Sequence, residues 1–322
     1  MSRFLHISYS FDSVDGASIS ASLHDGMRLE GVWDWRRTLV RKAMRVICVP
    51  MDVSAGVVWY GLKEKISNLR PDRVFIHWIG HEMLRYEELE CLAGIPVTIV
   101  LHDFSLFEVP PYRRQTWFDC WRLKRIGRVL SKLDIDFEAP SNWAAKHIKE
   151  LRPEANVVVR RTPIRDDFCK RAGEKCYQNN GCFRLLFGCQ GGRRNPYKGF
   201  NDLEAALDIL TEAIKQNMEL HVFGESSDEC LTSGVKTVFH GEIEKADELG
   251  ALYRMSDALA FPSLSETQGI VKDEALACGL KVITFNRTAC PEGILHKENG
   301  YIASDVQDFA KGILWAMKPC GE

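Results

Sequence analysis

Between Phe261 and Ile302 the chain reads FPSLSETQGIVKDEALACGLKVITFNRTACPEGILHKENGYI, and no other stretch limits the possible folds so tightly. The apolar run Ala258–Pro262 (ALAFP) leads into it with the composition of a strand buried on both faces of a parallel sheet. A polar loop follows, then Ile270–Ala277, which is helix-forming and stops before Gly279, then a second strand, Lys281–Phe285. Strand, loop, helix and strand in this order make a parallel βαβ unit. Glu266 then falls in the loop at a strand's C-terminal end, and Glu274, eight residues on, in the helix. The backbone N–H groups of Gln268, Gly269, Ile270 and Val271 are expected to be unpaired donors at the helix N-terminus, a natural seat for phosphate. Open α/β sheets bind ligands at this edge.

The same alternation runs through the rest of the chain. Phe4–Ser8 reads as a first strand, followed by the small-residue loop Asp12–Ser22 and a helix carrying Leu23 and Met27. Gly16 sits where strand turns to helix, so a backbone there can either approach a substrate closely or simply make the turn. Arg45–Pro50, Arg73–Trp78 and Pro96–His102 read as further strands, and Ser141 as the cap of an amphipathic helix. The stretch 162–182 is polar, rich in Gly and Asn, and poorly periodic, which places an interdomain linker there. Beyond it come the strand Phe183–Gly188, the loop Gly191–Gly199 (GGRRNPYKG) and a helix with Leu203, Ala206, Leu207 and Leu210 on one face. Leu220–Gly224 and Val235–Phe239 supply two more strands. We therefore expect an α/β protein of two Rossmann-like parallel-sheet domains facing across a cleft, residues 1–165 and 166–322. Neither half has G-x-G-x-x-G after a strand, which disfavours a nicotinamide dehydrogenase.

Composition removes other classes. No apolar run approaches the ~18 residues of a membrane span, and the N-terminus lacks a signal pattern and reads as strand, so a cytoplasmic location is expected. Eleven Cys include no C-x-x-C, and Cys169, Cys176, Cys182 and Cys189 lie too far apart for a zinc knuckle, so reduced, mostly buried thiols are expected. Residues 1–165 carry 25 Lys and Arg against 20 Asp and Glu, and residues 166–322 carry 17 against 24. That asymmetry is too mild for nucleic-acid binding, and no nucleic-acid motif appears. Trp33–Arg45 joins basic residues to two Trp, which suits either a solvated basic face or contact with an anionic membrane surface, peripheral at the inner face of the plasma membrane.

The string P-S-x-x-E-x-x-G-x-x-x-x-E-A-x-A-x-G from Pro262 to Gly279, then Val282-Ile283, Pro291-Glu292 and Asn299-Gly300-Tyr301, resembles the nucleotide-sugar site of retaining glycosyltransferases with the GT-B fold, family 4. The resemblance is sharp from about 183 to 303 and looser before that. It implies transfer of a sugar from a nucleotide-sugar donor to a hydroxyl of a glycan or lipid-linked glycan, as in bacterial surface polysaccharide assembly. By the same resemblance Lys198, in Tyr197-Lys198-Gly199, meets the donor diphosphate with Arg193 or Arg194. Glu274 takes the ribose hydroxyls, and Glu266 faces the transferred sugar without acting as a covalent nucleophile. His102, before Asp103 at a strand end, resembles the family's His near the donor sugar; Asp103 and His77 are expected on the acceptor side. Lys198, Glu266 and His102 are the residues implied to act in the reaction. No metal and no other cofactor is implied, and Asp134-Ile135-Asp136 is read as a chance D-x-D.

Two departures stand out. Arg161-Thr162-Pro163 replaces the family's usual Asn-Pro, and the helix that crosses back onto the first domain is expected to be reduced or absent. They leave two alternatives: a non-catalytic nucleotide-sugar-binding or scaffold subunit, and a sugar-nucleotide epimerase of the same fold.

Overall fold

In this computed structural model the structure describes residues 3–8, 27–30, 32–33, 57–58, 62–77, 86–109, 114–164, 168, 181–189, 191–227, 231 and 233–318, and the structural statements below concern these. The chain divides into two compact units, Met1–Pro163 and Ile164–Glu322.

The first unit contains β1 (Phe4–Ser8), β2 (Met27–Glu30), β3 (Val32–Trp33), β4 (Val57–Val58), α1 (Leu62–Leu69), β5 (Arg73–Ile76), β6 (Val97–Val100), α2 (Trp117–Leu130), β7 (Ile135–Ala139), α3 (Asn142–Leu151) and β8 (Asn156–Val159). Six strands form one parallel sheet in the order β2-β1-β5-β6-β7-β8, and β3 pairs with β4 apart from it. Strand period sorts the residues by face. Leu5, Ile7, Val74, Ile76, Val97 and Ile99 point into a core closed by Ile126, Val129 and Leu130 of α2 and Ile148 of α3. The alternate positions hold His6, Phe75 and Thr98, all buried. Helix α2 starts at a capping box between Thr116 and Asp119, and α3 at Ser141, whose hydroxyl accepts from the Ala144 N–H at 2.9 Å.

Met27 corrects one expectation. It opens β2, which pairs in parallel with β1, where the sequence pattern suggested a helix. Pairing to an existing strand overrides the helix propensity of Met, Arg, Leu and Glu. Leu23, Gly16 and the strand expected at Arg45–Pro50 lie outside the described residues, as does nearly all of Trp33–Arg45.

The second unit contains β9 (Phe183–Gly188), α4 (Phe200–Ile209), β10 (Met218–Phe223), β11 (Lys236–Phe239), α5 (Ala246–Met255), β12 (Ala258–Phe261), α6 (Ile270–Ala277), β13 (Lys281–Phe285), β14 (Gly300–Ala303) and α7 (Val306–Met317). Its six strands are all parallel, in the order β11-β10-β9-β12-β13-β14. Both faces are covered, so its strands read as near-continuous apolar runs. Leu185 and Phe187 pack with Leu203 and Leu207 of α4 and Phe309 and Ile313 of α7. Leu186, between them, packs on the other face with Leu252 and Tyr253 of α5 and Ala275 of α6. No described helix is long and apolar enough to cross a membrane.

Candidate active site

The order of the second sheet fixes where a ligand can sit. From β9 the chain moves outward through β10 and β11, then returns to β12 on the other side of β9. The loops after β9 and β12 therefore leave the sheet as neighbours and diverge, which opens a crevice at their carboxyl ends. After β9 the chain makes two short 3-10 turns, Gly192–Arg194 and Pro196–Lys198. Asn195 caps the second by accepting from the Tyr197 N–H at 3.1 Å. Gly199, at φ +66°, then starts α4, and a Cβ there would lie 2.1 Å from the Pro262 carbonyl oxygen. Only glycine lets the two loops approach this closely. The Leu264 N–H donates to the Tyr197 carbonyl at 2.7 Å and locks them together.

This contact sets Lys198 against Glu266, Nζ to Oε1 at 2.6 Å, with 24% and 12% of the side chains exposed. Burial pulls the Lys198 pKa down, but the charge and hydrogen bond of Glu266 outweigh it, so the ammonium titrates above its ordinary value. The loop after β13 holds Glu266 from the other side. The Glu266 N–H donates to Thr288 Oγ1 at 2.9 Å, and its carbonyl accepts from the Ala289 N–H at 3.3 Å. Three loops thus converge on one ion pair.

Helix α6 begins at Gly269, whose φ of +83° and tight contact with the Phe261 ring exclude a side chain. Gln268 is buried and donates through Nε2 to Asp273 at 2.9 Å. Ile270 is the first helical residue, as the sequence pattern suggested. Glu274 is buried, and the Tyr253 hydroxyl donates to its Oε2 at 3.0 Å. Lys272 is wholly buried; its ammonium donates to the Glu292 carbonyl and lies 3.1 Å from Asp273 Oδ1.

The two arginines separate. Arg193 is taken by Glu225: its backbone N–H reaches Oε2 at 2.6 Å, and Nε and Nη2 reach Oε1 at 3.0 and 2.7 Å. Its guanidinium also lies 4.9 Å from the Phe239 ring centre. Arg194 is exposed. Glu225, Tyr253, Thr288 and Lys272 escaped the sequence reading. The first and third had a legible signal, a polar residue just past a strand end, after LHVFG and after KVITF.

In the first unit, His77 Nδ1 and His102 Nε2 lie 3.1 Å apart, and His77 Nε2 and His6 Nδ1 lie 3.0 Å apart. His77, expected on the acceptor side, is buried between two imidazoles, while His102 is partly exposed. Burial lowers the His102 pKa to about 4, with Asp103 opposing. The two contacts use different nitrogens of His77, so the rings form a chain, not a metal cage. Asp103 accepts from the Ser105 N–H at 2.7 Å and braces its own turn. Asp136 of the D-x-D pairs with Arg73 at 2.7 Å and accepts from Asn156 at 2.9 Å. Among the described residues no group of three or more His, Cys, Asp or Glu is placed to hold a metal ion. Cys182 is partly buried and Cys189 buried; Cys169 and Cys176 lie outside the described residues.

Residues 188–319, which hold Lys198, Glu266 and Glu274, match the family Glycosyl transferases group 1. The D-inositol 3-phosphate glycosyltransferase of Pseudarthrobacter chlorophenolicus is 30% identical over 235 residues, 67% of this chain and 54% of that protein. The sulfoquinovosyl transferase of Arabidopsis thaliana is 30% identical over 122 residues, 36% of this chain and 24% of that protein. The chain thus spans about half of the first relative and about a quarter of the second. Among solved structures, Anabaena HepE in complex with UDP-glucose superposes with a TM-score of 0.66 at 15% identity, covering 99% of this chain and 90% of that one. WaaG, a glycosyltransferase involved in lipopolysaccharide biosynthesis, superposes with a TM-score of 0.64 at 14% identity, covering 98% and 90%. The chain has the GT-B fold, and its residues 188–319 match the Glycosyl transferases group 1 family.

Proposed function

We propose that the chain is a glycosyltransferase that moves a sugar, with retention of configuration, from a nucleoside-diphosphate sugar to a hydroxyl of a glycan acceptor. The observation that carries this reading is the Lys198–Glu266 pair, at the switch point of the second sheet and inside the matched family region. As the glycosidic bond breaks, roughly two negative charges gather on the leaving diphosphate, and a desolvated ammonium held in its charged form stabilises them. Lys198 has that role, with an arginine of the Arg193-Arg194 pair and the α6 N-terminus completing the anion seat. Glu274, oriented by Tyr253, takes the ribose hydroxyls, and Glu266 takes a hydroxyl of the transferred sugar. In this reading the leaving-group charge falls to side chains and backbone, and no metal is assigned a part. The acceptor in this reading is a glycan or a lipid-linked glycan.

A thermal-shift screen with UDP, GDP, ADP, CMP and dTDP, with and without EDTA, tests this. One nucleoside diphosphate at a hundredfold excess over its Kd is expected to stabilise the protein by about 2.7 kcal/mol, regardless of EDTA. Incubation of the matching sugar nucleotide with an acceptor is then expected to give a glycoside of unchanged anomeric configuration. No shift with any nucleotide refutes the donor site. Binding without turnover marks a non-catalytic subunit, and a free epimer formed without acceptor marks an epimerase.

A further inference from the structure

The loop after β13 contains a strained backbone step. Among the described residues, Arg70, Thr288 and Lys297 are the non-glycine residues with φ in the left-handed region. Arg70 follows α1 and Lys297 sits in a turn; both are unbranched and exposed. Thr288, at φ +47°, is β-branched, and its Cβ carries two heavy atoms into the crowding that makes this region costly for L-residues. Glycine would take the same step at less cost. Strain of this kind persists only where the surroundings over-determine the backbone. On one side of Thr288, Arg287 Nη1 donates to Asp202 Oδ2 of α4 at 2.8 Å, and its guanidinium lies 4.0 Å from the Phe285 ring centre. On the other side Cys290 is buried. Its N–H donates to the Arg287 carbonyl at 3.0 Å, and its thiol to the Ser263 carbonyl at 3.7 Å. With both neighbours anchored, Thr288 has no relaxed conformation to fall into.

What this conformation delivers is a grip on Glu266. Thr288 Oγ1 accepts from the Glu266 N–H at 2.9 Å, and the next residue, the buried Ala289, donates its N–H to the Glu266 carbonyl at 3.3 Å. A backbone N–H can only donate, so the first of these bonds has a single sense. Glu266 lies outside any helix or strand, so no element of its own fixes its backbone. Two consecutive residues of another loop hold both of its backbone polar groups instead. Its carboxylate Oε1 is 2.6 Å from Lys198 Nζ, and Oε2 accepts from no described residue. The hydroxyl is the part of threonine that the left-handed step itself does not call for, and it is the part that meets Glu266.

We propose that Thr288 is a positioning residue: its strained backbone places the hydroxyl that, together with the Ala289 N–H, clamps Glu266 so that Oε2 meets a hydroxyl of the transferred sugar while Oε1 keeps Lys198. This rests on the reading of Glu266 in the proposed transfer. Thr288 itself touches no substrate, and the whole clamp lies within the second unit.

The test uses the full chain in three variants. Thr288→Ser keeps the hydroxyl, Thr288→Val keeps the shape without the acceptor, and Thr288→Gly removes both the acceptor and the strain. The first readout needs no substrate: hydrogen exchange of the Glu266 amide in protein labelled with ¹⁵N-glutamate, its signal assigned by its loss in Glu266→Gln. Exchange is expected to be slow in wild type and Thr288→Ser, and about tenfold faster in Thr288→Val and Thr288→Gly, as the loss of one hydrogen bond implies. In the transfer assay Thr288→Ser is expected to hold the wild-type kcat. Thr288→Val and Thr288→Gly are expected to lower it on the order of 10²-fold, the cost of a displacement of about 1 Å at a reacting centre, while keeping the nucleoside-diphosphate thermal shift. Thr288→Gly separates positioning from stability, because relief of strain offsets the lost bond and holds its melting temperature at or above that of Thr288→Val. Should Thr288→Gly fail to fold, Thr288→Val and Thr288→Ser carry the test. Unchanged exchange in Thr288→Val overturns the clamp. Faster exchange with wild-type kcat overturns the positioning role, and so does a kcat that follows the melting temperature through the variants. A protein with no transfer activity refutes the functional reading and the kinetic half of this proposal, while the exchange rates still decide the Thr288–Glu266 link.

Discussion

Replacing Lys198 by Met separates two roles that the 2.6 Å contact with Glu266 superimposes. At that separation and an effective dielectric near 20 the Coulomb attraction is about 6 kcal/mol, most of it offset by the desolvation of both groups. Removing one partner of a fully buried pair costs about 3–5 kcal/mol; these side chains are 24% and 12% exposed, so about 2 kcal/mol is expected for Lys198→Met. For a unit of this size that lowers the melting temperature of the second unit by about 4–8 °C. Glu266→Gln in the Lys198→Met background removes the uncompensated carboxylate, and the double variant is expected to regain about 1–2 kcal/mol as coupling energy. Donor binding behaves differently. If Lys198 serves the diphosphate, neither the single nor the double variant regains the nucleotide-induced shift, although the double variant regains stability. The assay is one calorimetric cycle of four proteins, each with and without the stabilising nucleotide. Refutation is a double variant that still responds to nucleotide like wild type, which makes Lys198–Glu266 a structural ion pair and moves the donor elsewhere.

Burial holds His102 at a pKa of about 4, and His221 and His240 below their ordinary value. A depressed folded pKa adds stability above the unfolded value and loses it as pH falls, so the urea midpoint should hold above about pH 6.5 and drop towards pH 4, with His102 contributing at most about 3 kcal/mol; a flat midpoint between pH 6.5 and 5 refutes this. Arg193→Ala strands the buried Glu225 and is expected to cost about 2–3 kcal/mol in denaturant unfolding, whereas Arg194→Ala leaves stability unchanged and weakens the nucleotide-induced shift; the reverse pattern refutes the assignment.

The second unit was legible because its elements agree at every level. The strands Phe183–Gly188 and Lys281–Phe285 and the helix Ile270–Ala277 have the same bounds in the structure as in the sequence pattern, since apolar runs, Gly stops and turn residues coincide there. The first unit was less legible where tertiary contacts decide. Met27–Glu30 has helix-forming composition and becomes a strand only because β1 offers it an edge. Asn156–Val159, mostly exposed, joins the sheet through β7 and has no buried face to betray it. Site partners were hidden for a related reason. Tyr253 lies 21 residues before Glu274 and is one more large side chain on a buried helix face until the fold brings its hydroxyl to the carboxylate. Likewise the pairing of Arg193 with Glu225 spans 32 residues, so spacing to Lys198 alone left both arginines open.

The geometry of the ion pair also limits what Lys198 can do. An ammonium has three N–H donors, and Glu266 Oε1 takes one of them at 2.6 Å. A diphosphate oxygen can therefore be added without displacing Glu266. The pair, however, is neutral as a whole, so what it adds to binding a ligand of roughly two negative charges is the direct N–H hydrogen bond of the ammonium, not net charge. What the carboxylate supplies is persistence of charge: it holds the Lys198 pKa up against the desolvation that a closed site imposes. Net attraction then has to come from groups not already neutralised. Among the described residues Arg193 is bound to Glu225, which leaves the exposed Arg194 and the backbone N–H groups where α6 begins. On the proposed reading Lys198 binds the leaving group directly and Arg194 and α6 add net attraction, which is why Arg194→Ala is expected to act on affinity and Lys198→Met on affinity and turnover.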